Sequence, residues 1–166
     1  KLADSRLQYS SYLSQHQIPC PAPLKSTEGH WSILYKGKAV SISPCLAGQS
    51  IEHPTMSQIG QVARQMADMH LKSLEYAFAI ENPMNSAWRN ALANRLASHL
   101  SAEDNAFIKK VLYEPIPPNL PRGMIHFDLF RDNVLFVEER LSGIVDFNYA
   151  ASDAWVLDMA ISLCDW

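Results

Sequence analysis

Apolar positions recur every three or four residues through the middle of the chain, which is the pattern of a helix with one buried face. The repeat runs from 55 to 69, and Thr55 with Gln58 forms a capping box that opens it. The positions expected to face the core are Met56, Ile59, Val62, Ala63, Met66 and Met69. The sequence therefore predicts a long amphipathic helix here.

Further helices are predicted from the same periodicity and from capping residues. They cover 3–16, a stretch from Pro83–Ser86 to about Leu100, a short run from the cap Ser101 to Leu112, and 154–166. The first should end before the prolines at 19, 21 and 23, because a proline disfavours helix at the preceding residue. The helix that starts at Pro83–Ser86 carries Trp88, Leu92 and Leu96 on one stripe.

Two pairs of short alternating segments predict β-hairpins. The first pair is Trp31–Tyr35 and Lys38–Ser43, joined at Lys36-Gly37. The second pair is Val134–Val137 and Leu141–Val145, with the turn at 138–140. Pro44–Gly48 reads as a connector, and the prolines from Pro115 onward predict an extended approach to 124–126.

Polar residues at fixed offsets flank the second hairpin. The run 126–133 reads His-Phe-Asp-Leu-Phe-Arg-Asp-Asn, and Asp146 follows thirteen residues after Asn133. The offset from Asp128 to Asn133 is that of a kinase catalytic loop, H-x-D-x-x-x-x-N. An antiparallel hairpin returns the chain to its start, so Asn133 and Asp146 should meet as oxygen ligands for Mg²⁺. The spacing predicts phosphoryl transfer, with Asp128 beside the attacking hydroxyl.

The composition fits a folded cytoplasmic domain that binds neither nucleic acid nor a membrane. A hydrophobic content of 48% supports a core, and a net charge of −3 gives no basic surface for nucleic acid. No apolar run approaches the roughly 20 residues of a membrane span. The cysteines lie far apart with no C-x-x-C pair, which fits a reducing compartment better than a disulfide framework or a zinc site.

These motifs resemble the aminoglycoside phosphotransferase and choline kinase superfamily, whose members share the protein-kinase-like fold. The strings 126–136 and 141–147 are most similar to the bacterial homoserine kinase family within it, and Leu157-Asp158-Met159-Ala160 is similar to that family's D-L-A segment. The resemblance implies an α+β fold, ATP and Mg²⁺ as cofactors, and a small amino alcohol such as homoserine as the substrate. The oligomeric state stays open.

The resemblance also implies a role for each matched residue. Asp128 would be the catalytic base, Asn133 and Asp146 the Mg²⁺ ligands, and His126 and Asp158 supports of the catalytic loop. The connector would be the hinge that holds adenine, through Pro44, Cys45 and Leu46. From chemistry alone His126 is also a candidate general base, although a structural histidine is favoured, and Asp158 is also a candidate helix cap.

The sequence allows two interpretations of Arg131. It is either a solvated arginine or a bidentate ligand for the γ-phosphate or a substrate carboxylate, which the guanidinium geometry suits. Asp132 reads as a solvated neighbour. Asp153 and Asp165 are candidates to hold the ammonium group of an amino-acid substrate.

The expected lobes are a remnant of the small β-containing lobe with the hinge over 1–48, and a mainly helical catalytic lobe over 49–166. The chain has no G-x-G loop and no strand lysine for the phosphates, so we expect both to precede Lys1 and both chain ends to be truncated. Two alternatives remain: a kinase for another alcohol, of the choline or aminoglycoside type, and a nucleotide-binding pseudokinase without catalytic activity.

Overall fold

The chain forms an α+β structure of helices and small antiparallel sheets. The computed structural model describes residues 2–113 and 116–166, so Pro115, where the predicted extended approach begins, lies outside the described residues. The elements are α1 Leu2–Gln15, β1 Ile33–Tyr35, β2 Lys38–Val40, α2 Met56–Ser73, α3 Ser86–Leu96, α4 Ala102–Tyr113, β3 Arg122–Ile125, β4 Val134–Val137, β5 Arg140–Ile144, β6 Ala151–Ala154 and α5 Val156–Asp165. Two compact units result: Lys1–Ile80 with Pro121–Trp166, and Glu81–Leu120.

Helix α2 begins with the predicted capping box. The Thr55 hydroxyl accepts from the Gln58 backbone N–H at 3.3 Å, and Gln58 Oε1 accepts from the Thr55 N–H at 2.8 Å. The expected buried face is confirmed for Val62 and Met69 but is wrong for Met56, which is 81% exposed. Met56 lies six residues before Val62, and at 100° per residue this places it well off the buried face.

The hairpin β1–β2 is shorter than predicted. Lys36 and Gly37 both adopt positive φ, as a tight two-residue turn requires. Beyond Val40 the pairing stops, because the Ile42 carbonyl accepts from the Leu24 N–H at 2.9 Å. The hairpin is therefore three residue pairs long.

The hairpin β4–β5 forms as predicted and pairs Val134 with Ile144 at its open end. Directly after the connector, the chain pairs with this hairpin: the backbones of Gln49 and Phe136 exchange hydrogen bonds of 3.0 and 2.9 Å. The Ser142 hydroxyl also donates to the Ala47 carbonyl at 2.6 Å. The connector and the hairpin are thus one hydrogen-bonded assembly.

The pairing of β3 with β6 was not predicted from the sequence. Ile125 lies opposite Ala151 and Arg122 opposite Ala154, where the sequence predicted the start of a helix at 154. The strand Ala151–Ala154 has no β-branched residue, so only its pairing with β3 makes it a strand. Helix α5 consequently begins two residues later than predicted, at Val156.

One hydrophobic core lies between α1, α2 and the β4–β5 hairpin, all within the first unit. Its central members are Tyr9, Leu13, Val62, Met69, Met124, Leu129, Val134, Phe136, Ile144 and Phe147. Leu129 is fully buried just after Asp128 in the chain, and Ile144 is fully buried two residues before Asp146. The core therefore holds the loop at 126–133 and the end of the hairpin from beneath.

The second unit is built from α3 and α4. Asn85 caps α3 by accepting from the Trp88 N–H at 3.1 Å, and the predicted Ser101 cap accepts from Asp104 N–H at 3.0 Å. The apolar stripe of α3 is only partly covered, since Trp88 and Leu96 are 45% and 43% exposed. A 3.6-residue repeat shows which residues share a face, but it does not supply the partner that buries them. Within the described residues, no helix is both long and apolar enough to cross a membrane.

Gly48 has a positive φ that residues with a side chain rarely adopt. Its φ is +121°, and a Cβ there would collide with Ser142 Oγ and lie 2.8 Å from the Phe136 carbonyl oxygen. We expect Gly48→Ala to lower the free energy of unfolding by about 2 kcal/mol in urea denaturation. Gly60→Ala is the matched control: this helical position is open, so it should stabilise by about 0.5–1 kcal/mol. A Gly48→Ala protein as stable as the wild type would contradict the packing described.

Candidate active site

The loop 126–133 joins β3 to β4 and is fixed from below by Asp158, in the first turn of α5. The fully buried Asp158 carboxylate accepts from the backbone N–H of His126 at 2.9 Å and from that of Phe127 at 2.7 Å. Phe127 has a φ of +64°, which is uncommon for a bulky residue. The two bonds hold this strained turn directly before Asp128. They are the contacts that a loop-bracing role needs.

His70, which the sequence analysis did not single out, contacts the same buried carboxylate. Its Nε2 lies 2.8 Å from Asp158 Oδ2, and both side chains are buried. The Trp155 ring stacks on it, with centroids 5.1 Å apart and an interplanar angle of 11°. The available signal was its position four residues after Met66, on the apolar side of α2. His70 thus ties α2 to the carboxylate that holds the loop.

His126 is 1% exposed, and its Nε2 donates to the Val145 carbonyl at 3.0 Å. Burial lowers its pKa, with Asp158 as the largest opposing influence, so the ring is neutral near pH 7. It also packs edge-on against Phe147, at 4.6 Å between centroids. The ring therefore links the loop to the residue just before Asp146.

Asp128 and Asn133 form a pair across the loop. Asn133 Nδ2 donates to the Asp128 carbonyl at 2.8 Å and to its carboxylate Oδ2 at 3.0 Å. Burial is the largest cause of a raised Asp128 pKa, and the charges of Asp146 and Asp132 add to it. A raised pKa makes this carboxylate a better proton acceptor for an alcohol.

Asp146 lies past the end of β5 in a left-handed backbone conformation, with φ +62°. Its Oδ1 accepts from the Asn148 N–H at 3.2 Å, and the side chain is exposed. Val145 N–H donates to the Asn133 carbonyl at 2.9 Å, which holds the two chain segments side by side. Asp146 is also near enough to Asp128 for its charge to raise the Asp128 pKa. The structure therefore brings Asp128, Asn133 and Asp146 together.

The donor set fits a magnesium ion that is shared with phosphates. Asn133 donates hydrogen bonds through Nδ2, which leaves its Oδ1 available to a metal ion. Asp146 accepts through Oδ1, which leaves its Oδ2 available in the same way. Magnesium prefers oxygen ligands and is often held by one or two protein groups plus phosphates and waters. In the described part of the chain, no three His, Cys, Asp or Glu side chains gather as a complete metal site. The proposed magnesium site would therefore need ligands from bound phosphates and waters in addition to Asn133 and Asp146.

Arg131 is held by protein groups. Its Nε and Nη2 each lie 3.2 Å from an Asp165 carboxylate oxygen, and Nη1 donates to the Glu52 carbonyl. Asp165 also accepts from the Arg131 backbone N–H at 2.7 Å. Burial alone would raise the Asp165 pKa, but the hydrogen bonds from Arg131 outweigh it and lower the pKa. The pair clamps the loop to the end of α5, and the predicted phosphate or carboxylate contact stays a prediction.

The ammonium-binding roles expected of Asp165 and Asp153 compete with contacts in the structure. Asp165 is engaged by Arg131, and Asp153 Oδ1 accepts from Arg122 at 2.7 Å. These roles also stay predictions.

The predicted adenine hinge consists of the first three residues of the connector, which lies beside the β4–β5 hairpin. Pro44 and Cys45 are exposed, whereas Leu46 is half-buried. Leu46 packs so closely on Gly143 that a Cβ there would lie 2.6 Å from Leu46 Cδ1. The structure places these residues beside β5, and adenine binding by them remains a prediction.

Solved structures with the same architecture are phosphotransferases. Amicoumacin kinase hAmiN, solved with AMP-PNP and Ca²⁺, superimposes with a TM-score of 0.71 at 15% identity, over 94% of this chain and 50% of that chain. The aminoglycoside-3'-phosphotransferase of type VIII gives a TM-score of 0.63 at 16% identity, over 98% and 65%. At this identity the likeness concerns the fold. The fold is protein-kinase-like, which confirms the predicted class.

Residues 4–166 match the phosphotransferase enzyme family, and the chain belongs to that family. Homoserine kinase of Methylobacillus flagellatus is 34% identical over 163 residues, which cover 96% of this chain and 51% of that protein. Homoserine kinase of Neisseria meningitidis serogroup B is 32% identical, with 96% and 53% covered. The chain spans about half the length of these curated relatives.

The buried His126 predicts a pH dependence of stability. Its pKa is lowered in the fold, so between that pKa and the ordinary value of about 6.5 the unfolded chain binds more protons. The free energy of unfolding should therefore fall as the pH drops from about 6.5 toward the lowered pKa. We expect His126→Gln to flatten this slope in urea denaturation series between about pH 5 and pH 7.

His53→Gln, at an exposed position, is the control and should keep the wild-type slope. Identical slopes for wild type and His126→Gln would show that the His126 ring does not titrate as burial requires.

Proposed function

We propose that the protein is an ATP-dependent phosphotransferase that phosphorylates the hydroxyl of L-homoserine, as in threonine biosynthesis. The observation that carries the reaction type is the convergence of Asp128, Asn133 and Asp146 at the open end of one hairpin. The homoserine kinases among the relatives support the choice of substrate. Residues 1–48 would contribute the hinge and part of the small lobe, and 49–166 the catalytic lobe. We place the enzyme in the cytoplasm because its cysteines are far apart in the sequence and free in the structure, as is usual in a reducing compartment.

In the proposed reaction Asp128 accepts the proton of the substrate hydroxyl. That hydroxyl oxygen forms a bond to the γ-phosphorus of ATP as the bond from the γ-phosphorus to the bridging oxygen breaks, leaving ADP. Asn133 Oδ1 and the Asp146 carboxylate would hold Mg²⁺, which supplies charge neutralisation for the phosphates when bound. The role of His126 and Asp158 is to keep Asp128 in place, since most of the catalysis comes from position and electrostatics.

Asp128→Asn should reduce turnover by at least about 100-fold, because the amide cannot accept the hydroxyl proton. Mg-ATP binding should survive. The measurement is a coupled ATP-consumption assay on the natural full-length protein with homoserine, choline, an aminoglycoside or no acceptor. The matched control is Asp132→Asn, the same change at an exposed neighbour, which should retain most of the activity.

The acceptor panel separates the alternatives. Homoserine-dependent turnover that is lost in Asp128→Asn supports both the substrate and the base. Turnover with choline or the aminoglycoside alone would keep the reaction type and discard homoserine. ATP binding without turnover on any acceptor would favour the pseudokinase.

Asp146→Asn should weaken the binding of Mg-ATP by roughly tenfold or more, since one anionic metal ligand is lost. It should also raise the Mg²⁺ concentration needed for half-maximal turnover. Calorimetric titration with ATP, with and without Mg²⁺, measures the first effect, and Asp132→Asn again serves as the control. An unchanged Mg²⁺ requirement would rule out Asp146 as a ligand.

A further inference from the structure

A polar cavity of about 340 Å³ lies beside Asp146, on the side that faces α1 and β2. Its polar lining comes from Arg6, Ser10, Ser32, Ser41, Ser43, Asp146 and Asn148. Of these residues, the reaction described above uses only Asp146. The cavity is therefore adjacent to the proposed metal site but is lined mainly by groups without an assigned role.

Arg6 brings a positive charge to this cavity and pairs with no carboxylate among the described residues. Its Nε donates to the Ala150 carbonyl at 3.0 Å, and Nη2 is buried without a hydrogen-bond partner among the described residues. Burial lowers the Arg6 pKa, and Tyr149 opposes this. A partly buried guanidinium in this state calls for an anionic partner.

Two of the serine hydroxyl groups in the cavity form hydrogen bonds with described residues of the protein, and two do not. Ser10 donates to the Pro21 carbonyl and Ser32 to Asp4 Oδ1, each at 2.6 Å. Ser41 and Ser43 are exposed, and their hydroxyls have no partner in the described part of the chain. The cavity thus offers a guanidinium and two free hydroxyl donors.

We propose that Arg6, with Ser41 and Ser43, forms a subsite for an oxyanion next to the metal-binding Asp146. Guanidinium and hydroxyl donors together suit phosphate or carboxylate oxygens, and a guanidinium offers such groups paired N–H donors. A divalent cation on Asp146 would offset the carboxylate that otherwise repels the anion. The oxyanion is either a nucleotide phosphate or the carboxylate of the amino-acid substrate. This inference rests on the proposed function.

The test is calorimetric binding, independent of turnover, with two pairs of probes. Mg-ATP is compared with adenosine, which lacks the phosphates, and L-homoserine with 2-amino-1,4-butanediol, which lacks the carboxylate. Arg6→Gln should weaken one probe that carries an oxyanion by about tenfold or more and leave its counterpart without the oxyanion unchanged. The Ser41→Ala/Ser43→Ala double variant, which keeps the Arg6–Ala150 bond, should weaken the same probe several-fold. Arg64→Gln, at an exposed position on α2, is the matched control.

A loss specific to Mg-ATP assigns the oxyanion as a nucleotide phosphate, and a loss specific to homoserine assigns it as the substrate carboxylate. Equal loss of binding for the probes with and without an oxyanion would mean that Arg6 acts only through Ala150, and would overturn the subsite. If the wild type binds both Mg-ATP and homoserine and Arg6→Gln binds them with unchanged affinity, the subsite alone is overturned. A wild type that binds neither Mg-ATP nor homoserine overturns the proposed function and the subsite together.

Discussion

The buried carboxylate of Asp158 is the constraint on which the candidate site depends. A carboxylate removed from water costs several kcal/mol unless hydrogen bonds satisfy it, on the order of the net stability of a small domain. In this chain it has N–H partners on two elements: the backbone of His126 and Phe127, and the ring of His70. The same atoms therefore satisfy the carboxylate and fix the backbone before Asp128. Displacing the loop would remove two of its three N–H partners.

The loop held by Asp158 meets the β4–β5 hairpin at the candidate site. The β4–β5 hairpin returns the chain to the loop, so that Asn133 meets both Asp128 and the segment before Asp146. Burial raises the pKa of Asp128, and the nearby charge of Asp146 adds to it. A magnesium ion would offset these negative charges in the proposed reaction. Arg131, paired with Asp165, closes the other side of the loop.

The fold is shared with phosphotransferases named for unlike compounds, amicoumacin and aminoglycosides. In the proposed reaction the loop, the hairpin and the Asp158 anchor act on the phosphoryl group and the proton. Selectivity for the acceptor would then come from residues around them. The same core can therefore serve unlike substrates, and fold alone does not identify the acceptor.

The sequence by itself determined the features that depend on neighbours within a few residues. The Thr55 capping box, the β4–β5 hairpin and the offset from Asp128 to Asn133 were all readable, because turn chemistry, caps and periodicity act locally. The candidate site followed from the same local rules, since a hairpin returns its two ends to one place.

Only the tertiary structure decided what depends on distant partners. The strand Ala151–Ala154 exists through its pairing with β3, and His70 gained its role from a carboxylate 88 positions away. The partnership of Arg131 with Asp165 likewise could not be read from spacing. Periodicity shows which side chains share a face, but burial, ion pairing and strand pairing are set by whatever the whole fold places opposite them.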